Sequence, residues 1–448
     1  MPAGPKGQLL RGNLPDLVRD PTGFLLRCAR EYGDLVPLRF GPRRALLVND
    51  PNLIADVLVG RSATFAKPYV LRTDRVRFGD DRSGDEADVW RRQTLAQPAF
   101  HQRRMPAYGA TMVEATQRML AGWQDGESRD LLDDMMHLTL EIATKTLFGV
   151  DLADESDAVA DALRVVMDGF VPRLGTFLPG LDRLPTPANR RLRSASRRLD
   201  ETVDAIIARA RPGAGERDDL VSLLLRSAGG HGGLTDRQVR EQATTFLLAG
   251  HETTALVLAW AWYLLAGHPD AMANLVAELD AVLGGRVPGA ADLAKLPYAE
   301  SVIHEAMRLY PPLWAMARIA REDTRLGDRP VSAGTVVIVS QWVMHRDPRF
   351  FTDPERFHPG RWTDGLAKRL PRYAYFPFGG GPRGCIGSRF ALMEGVLLLA
   401  TVAQHYGFAP VPGHPVVPSP SITLRPGRGV RLALHRRHAT TDRPLGLA

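Results

Sequence analysis

The sequence predicts a mainly α-helical chain with a smaller β-rich region, and three observations carry that reading. From about residue 51 to residue 309, apolar residues recur mostly at helical spacing, broken at proline-rich points such as Leu184-Pro185-Thr186-Pro187. After Tyr310-Pro311-Pro312 the composition changes: Thr335–Ser340 is a β-branched run behind a turn at Gly334, and Gly and Pro stay frequent up to Cys385. Neither an internal repeat nor a low-complexity linker divides the chain. Residues 1–448 are therefore expected to form one domain, with sheet-rich parts at about 35–50, 313–345 and 415–434.

Taken in order, Leu35–Gly41 and Arg44–Asn49 read as two short strands joined by Gly41-Pro42-Arg43, a hairpin signal. Thr235-Asp236-Arg237-Gln238 has capping-box spacing, so a helix should start at Thr235 and run toward Gly267-His268-Pro269. A second long apolar helix is expected from about Cys385 to Tyr406. Ile422–Leu424 and Val430–Leu434 alternate like strands at the end.

Composition removes several function classes. With 44% apolar and 24% charged residues among 448, the chain can bury a large core. Two cysteines, Cys28 and Cys385, cannot make a disulfide framework, which suits a reducing, cytoplasmic setting. The net charge of +7 suits an acidic protein partner or an anionic surface. No arginine run is interleaved with aromatics, so nucleic acid is not expected as a partner. The N-terminus lacks the apolar core of a signal or anchor. The most apolar stretch, Phe246 to Ala266, is interrupted by Gly250-His251-Glu252, which suits a buried helix better than a lipid-spanning one. A monomer without a membrane anchor is the expectation.

The densest chemical signal is Phe378-Gly379-Gly380-Gly381-Pro382-Arg383-Gly384-Cys385-Ile386-Gly387. Glycines let the backbone approach a flat cofactor. The apolar run Ile386 to Ala400 suggests that Cys385 opens a helix, where the dipole and free amides favour a thiolate, a good soft-metal ligand. Arg383 stands two residues earlier and suits a carboxylate of the same cofactor. A lone cysteine without a nearby Cys or His argues against zinc and against an iron–sulfur cluster. An axial thiolate to haem needs only one.

Near the middle of the helix that Thr235 opens lies Ala249-Gly250-His251-Glu252-Thr253-Thr254. A threonine there can bond a preceding carbonyl and bend the helix. A buried Glu is costly unless it is paired or used. An acid, Glu252, beside an alcohol, Thr253, reads as a pair able to deliver protons into a pocket that otherwise excludes water.

Together these motifs resemble the cytochrome P-450 family, and the resemblance spans nearly the whole chain. The family's cysteine signature reads Phe-x-x-Gly-x-Arg-x-Cys-x-Gly, matched by Phe378, Gly381, Arg383, Cys385 and Gly387, and its acid–alcohol pair corresponds to Glu252 and Thr253. The resemblance implies the P-450 fold, with haem (heme b, iron protoporphyrin IX, axial thiolate) between the long central helix and the cysteine-loop helix. It makes Cys385 the iron ligand and puts Phe378, Gly387, Ala249 and Gly250 against the cofactor. Arg318, in Trp314-Ala315-Met316-Ala317-Arg318, and Trp90 resemble haem-carboxylate contacts. The family's Trp-x-x-x-Arg stretch is broken here, because Thr94 stands four residues after Trp90. The Glu-x-x-Arg pair of Glu305 and Arg308 should be buried and joined by Arg356 from Pro354-Glu355-Arg356-Phe357.

By position in the family, the substrate pocket should be lined by Phe170, Val171, Phe177, Phe246, Leu313, Trp314, Met316 and Ile422, an apolar set suited to a hydrocarbon-like molecule. A terpenoid is slightly favoured over a fatty acid, a steroid or a polyketide. Arg72, Arg75 and Arg77 could instead anchor a substrate carboxylate. The expected activity is a monooxygenase that inserts one atom of dioxygen. Peroxide-driven oxidation, dehydration or coupling is the alternative within the family, and a haem-binding sensor without turnover the alternative outside it. No flavin or iron–sulfur domain follows the last strands, so electrons are expected from a separate ferredoxin and an NAD(P)H-dependent ferredoxin reductase. Arg91, Arg92, Arg103, Arg104 and Arg389 are candidates for docking that donor.

Overall fold

The computed structural model describes residues 4–66, 93–151, 184–215, 219–228 and 233–437, with residues 159, 161–163, 165, 166 and 217 besides. Five helices frame the site: α1 (Met105–Ala121), α2 (Leu131–Ala143), α3 (Asp236–Ala266), α4 (Pro297–Leu309) and α5 (Ser388–His405). Smaller sheets flank them, so the mainly α reading with a lesser β part holds.

α3 is the axle. Its start is where the sequence places it: the Thr235 side chain accepts from Gln238 N–H at 3.2 Å and Gln238 Oε1 accepts from Thr235 N–H at 2.9 Å, satisfying two otherwise orphaned amides. Its 31 residues span about 46 Å at 1.5 Å per residue. From Ala255 onward it is apolar nearly all round, and Trp260 and Trp262 are fully buried. Trp260 stacks on Tyr310 at 3.9 Å and donates its indole N–H to the Leu424 carbonyl at 3.0 Å. That pattern marks a helix surrounded by protein. Among the described residues, no helix is long and apolar enough to cross a membrane.

The early hairpin forms as read, Leu35–Phe40 antiparallel to Arg43–Val48. The second strand also pairs in parallel with Val336–Val339, which in turn pairs with Met316–Ala320 and so with Phe65–Ala66. Being central, Arg43–Val48 buries both faces: Leu46 and Val48 pack on Phe65, Val337 and Phe376, and Ala45 and Leu47 pack on Phe24, Leu25 and Ile338. Near the C-terminus, Arg431–Arg436 lies between Ser128–Asp130 and Tyr406–Pro410. Leu424–Pro426 pairs back on Pro418–Pro420, leaving Ser421, Ile422 and Thr423 as the bend between them.

Candidate active site

The cysteine loop is built by close backbone approach. Gly381 has a φ of +71°, and a β-carbon there would collide with the Leu58 carbonyl oxygen, so both conformation and space demand glycine. Cys385 N–H donates to the Phe378 carbonyl at 2.9 Å, closing the loop, and the Gln93 amide donates to the Gly384 carbonyl at 3.1 Å. The Phe100 ring lies 3.4 Å from where a β-carbon on Gly387 would sit.

The cysteine does not open a helix. α5 begins at Ser388, capped at Gly387 without a side-chain hydrogen bond, because Pro382 and the glycine-rich turn keep the loop irregular up to Gly387. Cys385 is exposed, yet crowding by protein around its sulfur pushes the thiol above its ordinary value, an effect the Gly387 N–H partly offsets. A cationic centre bound to the sulfur would favour the thiolate, by attracting the anion.

α3 supplies the acid and the alcohol. Glu252 is 2% exposed, and its donors converge on one oxygen. Thr423 Oγ1 donates to Glu252 Oε1 at 2.7 Å, Arg425 Nε at 2.8 Å, and a second Arg425 nitrogen also stands at 2.8 Å. Thr253 is half-buried and donates its hydroxyl to the Ala249 carbonyl at 2.9 Å, while α3 runs on without a break. His251 is buried, and its Nδ1 lies 2.8 Å from the Leu247 carbonyl, so that nitrogen carries the proton. Burial, opposed by the Glu252 charge, pushes the imidazole below its ordinary value and keeps it neutral. Along one face, Thr245, Phe246, Ala249, Gly250 and Thr253 are half-buried or exposed, between buried Leu247, Leu248, His251 and Glu252.

That accessible stripe and the cysteine loop approach each other through aromatic contacts. Phe246 of α3 lies 6.0 Å from Phe100, which packs on Gly387. From the sheet, Met316 Sδ sits 3.5 Å from where a β-carbon on Gly379 would be. Arg318, two residues further along the same strand, shares that face and is 7% exposed. Arg383 is half-buried within the loop. Among the described residues, no group of three or more His, Cys, Asp and Glu side chains could hold a metal ion. One accessible sulfur, a stripe of small and apolar residues, and two arginines fit a flat prosthetic group that brings its own remaining ligands and carboxylates.

One reading of the buried network needs correction. Arg356 does not complete the Glu305–Arg308 pair with its side chain. Glu305 takes two hydrogen bonds from Arg308, at 2.8 and 2.9 Å, and the third guanidinium is that of Arg361, with Nε 3.0 Å from Glu305 Oε1. Arg356 is exposed and contributes only its carbonyl, which accepts from Arg308 at 3.0 Å. The His358 N–H also binds Glu305, so the chain turns there and carries the residues of Gly360–Thr363 inward. Trp314 is half-buried, like Leu313 and Met316 beside it. It packs on the small core of Phe24, Leu25 and Val36, with its indole N–H on the Ser421 carbonyl at 2.9 Å.

Leu313 and Ile422 are half-buried in adjoining segments, joined by the bond from Leu424 N–H to the Pro312 carbonyl at 2.9 Å. Trp90, Phe170, Val171, Phe177, Arg72, Arg75, Arg77, Arg91 and Arg92 lie outside the described residues. Thr94 is exposed, as are Arg103 and Arg389, while Arg104 is half-buried. The residues that sequence reasoning missed are Thr423 and Arg425, which lie 171 and 173 positions from Glu252. Their only sequence signal is a threonine and an arginine on either side of Leu424. A further missed group is Glu394 of α5, fully buried without a well-formed hydrogen bond to either oxygen. Burial pushes its carboxyl up to about 8, and the nearby Thr254 hydroxyl offsets only a part.

Comparison with known proteins agrees with this geometry. Residues 2–430 match the family described as Cytochrome P-450. Cyclooctat-9-en-7-ol 5-monooxygenase of Streptomyces melanosporofaciens is 39% identical over 90% of this chain and 88% of its own length. Cyclooctatin synthase of the same organism is 36% identical over 94% of this chain and 93% of its own. Pentalenene oxygenase of Streptomyces avermitilis is 34% identical over 95% of each chain. The chain therefore belongs to the cytochrome P-450 family of haem-thiolate enzymes, as a monooxygenase.

Proposed function

We propose that this enzyme inserts one atom of dioxygen into a terpenoid, by hydroxylation of an unactivated C–H bond or by epoxidation. The observation that carries the reading is the juxtaposition on α3 of the buried, ion-paired Glu252 and the accessible Thr253, on a helix facing the cysteine loop. Enzymes that use peroxide or rearrange substrates have no need of such a proton-delivery pair. The terpenoid class rests on the similarity to proteins named for cyclooctat-9-en-7-ol, cyclooctatin and pentalenene. The half-buried apolar side chains of Phe246, Leu313, Met316 and Ile422 suit such a molecule.

Haem, when bound, would supply the oxygen-activating chemistry, and Cys385 Sγ would hold its iron. Arg318 and Arg383 would hold its carboxylates by charge-assisted hydrogen bonds. Phe246, Ala249 and Gly250 present small and apolar surface, which lets a planar group lie close to α3 and excludes water from the reacting carbon. Thr253 Oγ1 donates to the Ala249 carbonyl at rest, keeping its lone pairs for an incoming proton, and passes a proton on when it turns. Glu252, with Oε1 occupied by Thr423 and Arg425, supplies that proton from Oε2. Electrons come from a separate ferredoxin and its NAD(P)H-dependent reductase. The donor docks where exposed Arg389 adjoins Gln102 and Met105.

The first measurement is the carbon-monoxide difference spectrum of the reduced protein. The strongly red-shifted thiolate band is expected, and Cys385→Ser abolishes it; a band retained in that variant overturns the ligand assignment. Turnover on cyclic terpene hydrocarbons and alcohols with a surrogate ferredoxin then tests the substrate class. Oxidation of fatty acids or steroids with no terpene turnover would refute that class.

A further inference from the structure

Glu252 is almost wholly enclosed, yet an acid that hands protons inward must recover each one from bulk water. Its partner shows where. Arg425 reaches α3 from the strand Leu424–Pro426, and its side chain is 14% exposed. On one side the guanidinium clamps Glu252 Oε1. On the other it lines a pocket of about 320 Å³ open to solvent, between the start of α2 and the turn 426–429. Asp130, Asp133, His137, His251, Ser419 and Arg428 form the pocket's other polar walls. Two acids and two arginines balance in charge, which suits water rather than a bound ion. His251 commits its Nδ1 to the Leu247 carbonyl, so Nε2 is left as an acceptor beside that water.

Resting on the reading of Glu252 as the acid, we propose that this pocket is the proton inlet of the enzyme and that Arg425 is the positioning residue that aims Glu252 between inlet and Thr253. Arg425 and Thr423 hold Oε1, so Oε2 is the oxygen that exchanges. In the inward step an O–H bond breaks on a hydronium that has entered the pocket, leaving water, and one forms on Glu252 Oε2. In the outward step that bond breaks as Thr253 takes the proton, and the carboxylate returns to its pair with Arg425. No electrons move. Bulk solvent supplies one proton for each proton passed on, so Glu252 ends each cycle ionised.

The test uses the haem-loaded enzyme with Ser419→Trp, a plug placed at an exposed residue on the pocket rim. Met136→Trp plugs it from the α2 wall and serves if the first variant does not fold. The readout independent of turnover is the hydrogen–deuterium exchange time of the Arg425 guanidinium in the infrared, assigned by its loss in Arg425→Gln. We expect exchange to slow at least tenfold in a plugged variant. The solvent isotope effect on product formation should at least double, and reducing equivalents should divert to peroxide. Arg425→Gln should divert them likewise, with Arg425→Lys recovering part of the coupling. Unchanged exchange and isotope effect in a plugged variant whose crystal structure shows the indole in the pocket would overturn the inlet. If Thr253→Ala still uncouples in that case, the acid–alcohol reading stands and only the route falls. If Thr253→Ala stays fully coupled, the acid–alcohol reading itself fails.

Discussion

Glu305 and Glu252 are both buried glutamates on long helices, but the protein satisfies them differently. Glu305, fully buried on α4, has both oxygens taken: Arg308 binds both, His358 N–H and Arg361 bind Oε1, and the Trp362 indole binds Oε2 at 2.8 Å. Arg308 in turn donates to the carbonyls of His345 and Arg356, at 2.9 and 3.0 Å. Burial alone would raise the Glu305 carboxyl, but the Arg308 hydrogen bonds and charge, with Arg361, hold it below its ordinary value. Glu252 has donors on one oxygen only and a solvent pocket behind them. A saturated carboxylate is a rivet, and one with an oxygen to spare can carry a proton.

Breaking the rivet should have the largest effect. Glu305→Ala leaves two buried guanidiniums without their anion, and loss of one partner of a buried pair costs about 3–5 kcal/mol. We expect a large fall in melting temperature together with loss of haem incorporation; normal haem content at an unchanged midpoint would show the network to be dispensable. Because the folded pKa of Glu305 lies below its unfolded value, its stabilisation is present at neutral pH and lost as pH falls through the folded pKa.

Glu252→Gln should do the reverse, with little change in folding or in the carbon-monoxide band and product formation slowed roughly a hundredfold, as for removal of a general acid. Stopped-flow rates with product and peroxide assays check this. Equal losses in stability and activity would erase the distinction between the two sites.

Glu394 sharpens the comparison, since it is a buried glutamate with neither guanidinium nor pocket. Its carboxyl stands at about 8, above the ordinary 4.5, so the folded state holds a proton that the unfolded chain releases. Stability is then lost as pH rises from about 4.5 to about 8, by at most about 5 kcal/mol. Glu394→Gln should flatten that slope in denaturation midpoints taken across the same range. An unaltered slope would mean the carboxyl is paired after all.

The smallest predicted difference separates two arginines five residues apart. Arg361→Ala should cost about 2 kcal/mol by removing a donor from Glu305, whereas Arg356→Ala, whose side chain is exposed, should stay within about 0.5 kcal/mol. Equal effects would contradict the assignment of Arg361 as the third member.

Much of this was legible in the chain. The helix cap at Thr235, the early hairpin, the glycines of the cysteine loop and the Glu305–Arg308 pair are local in sequence, because caps, turns and one-turn spacings are decided by neighbouring residues. The start of α5 was misplaced because the apolar run begins before the backbone can turn helical, behind a proline and several glycines. Arg361 was missed because Glu-Arg-Phe and Gly-Arg-Trp offer two arginines within one short loop, and only the turn at His358 selects between them.

The sequence by itself determined the chemistry of the centre: one thiol in a glycine loop, an acid beside an alcohol, and an apolar helix to carry them. The tertiary structure alone decided what faces the acid. Thr423 and Arg425 join Glu252 across 171 and 173 residues, because a terminal strand returns over the middle of α3. Such meetings follow from chain topology and packing, which no local spacing encodes, so the partners of a buried charge appear only once the chain has closed around it.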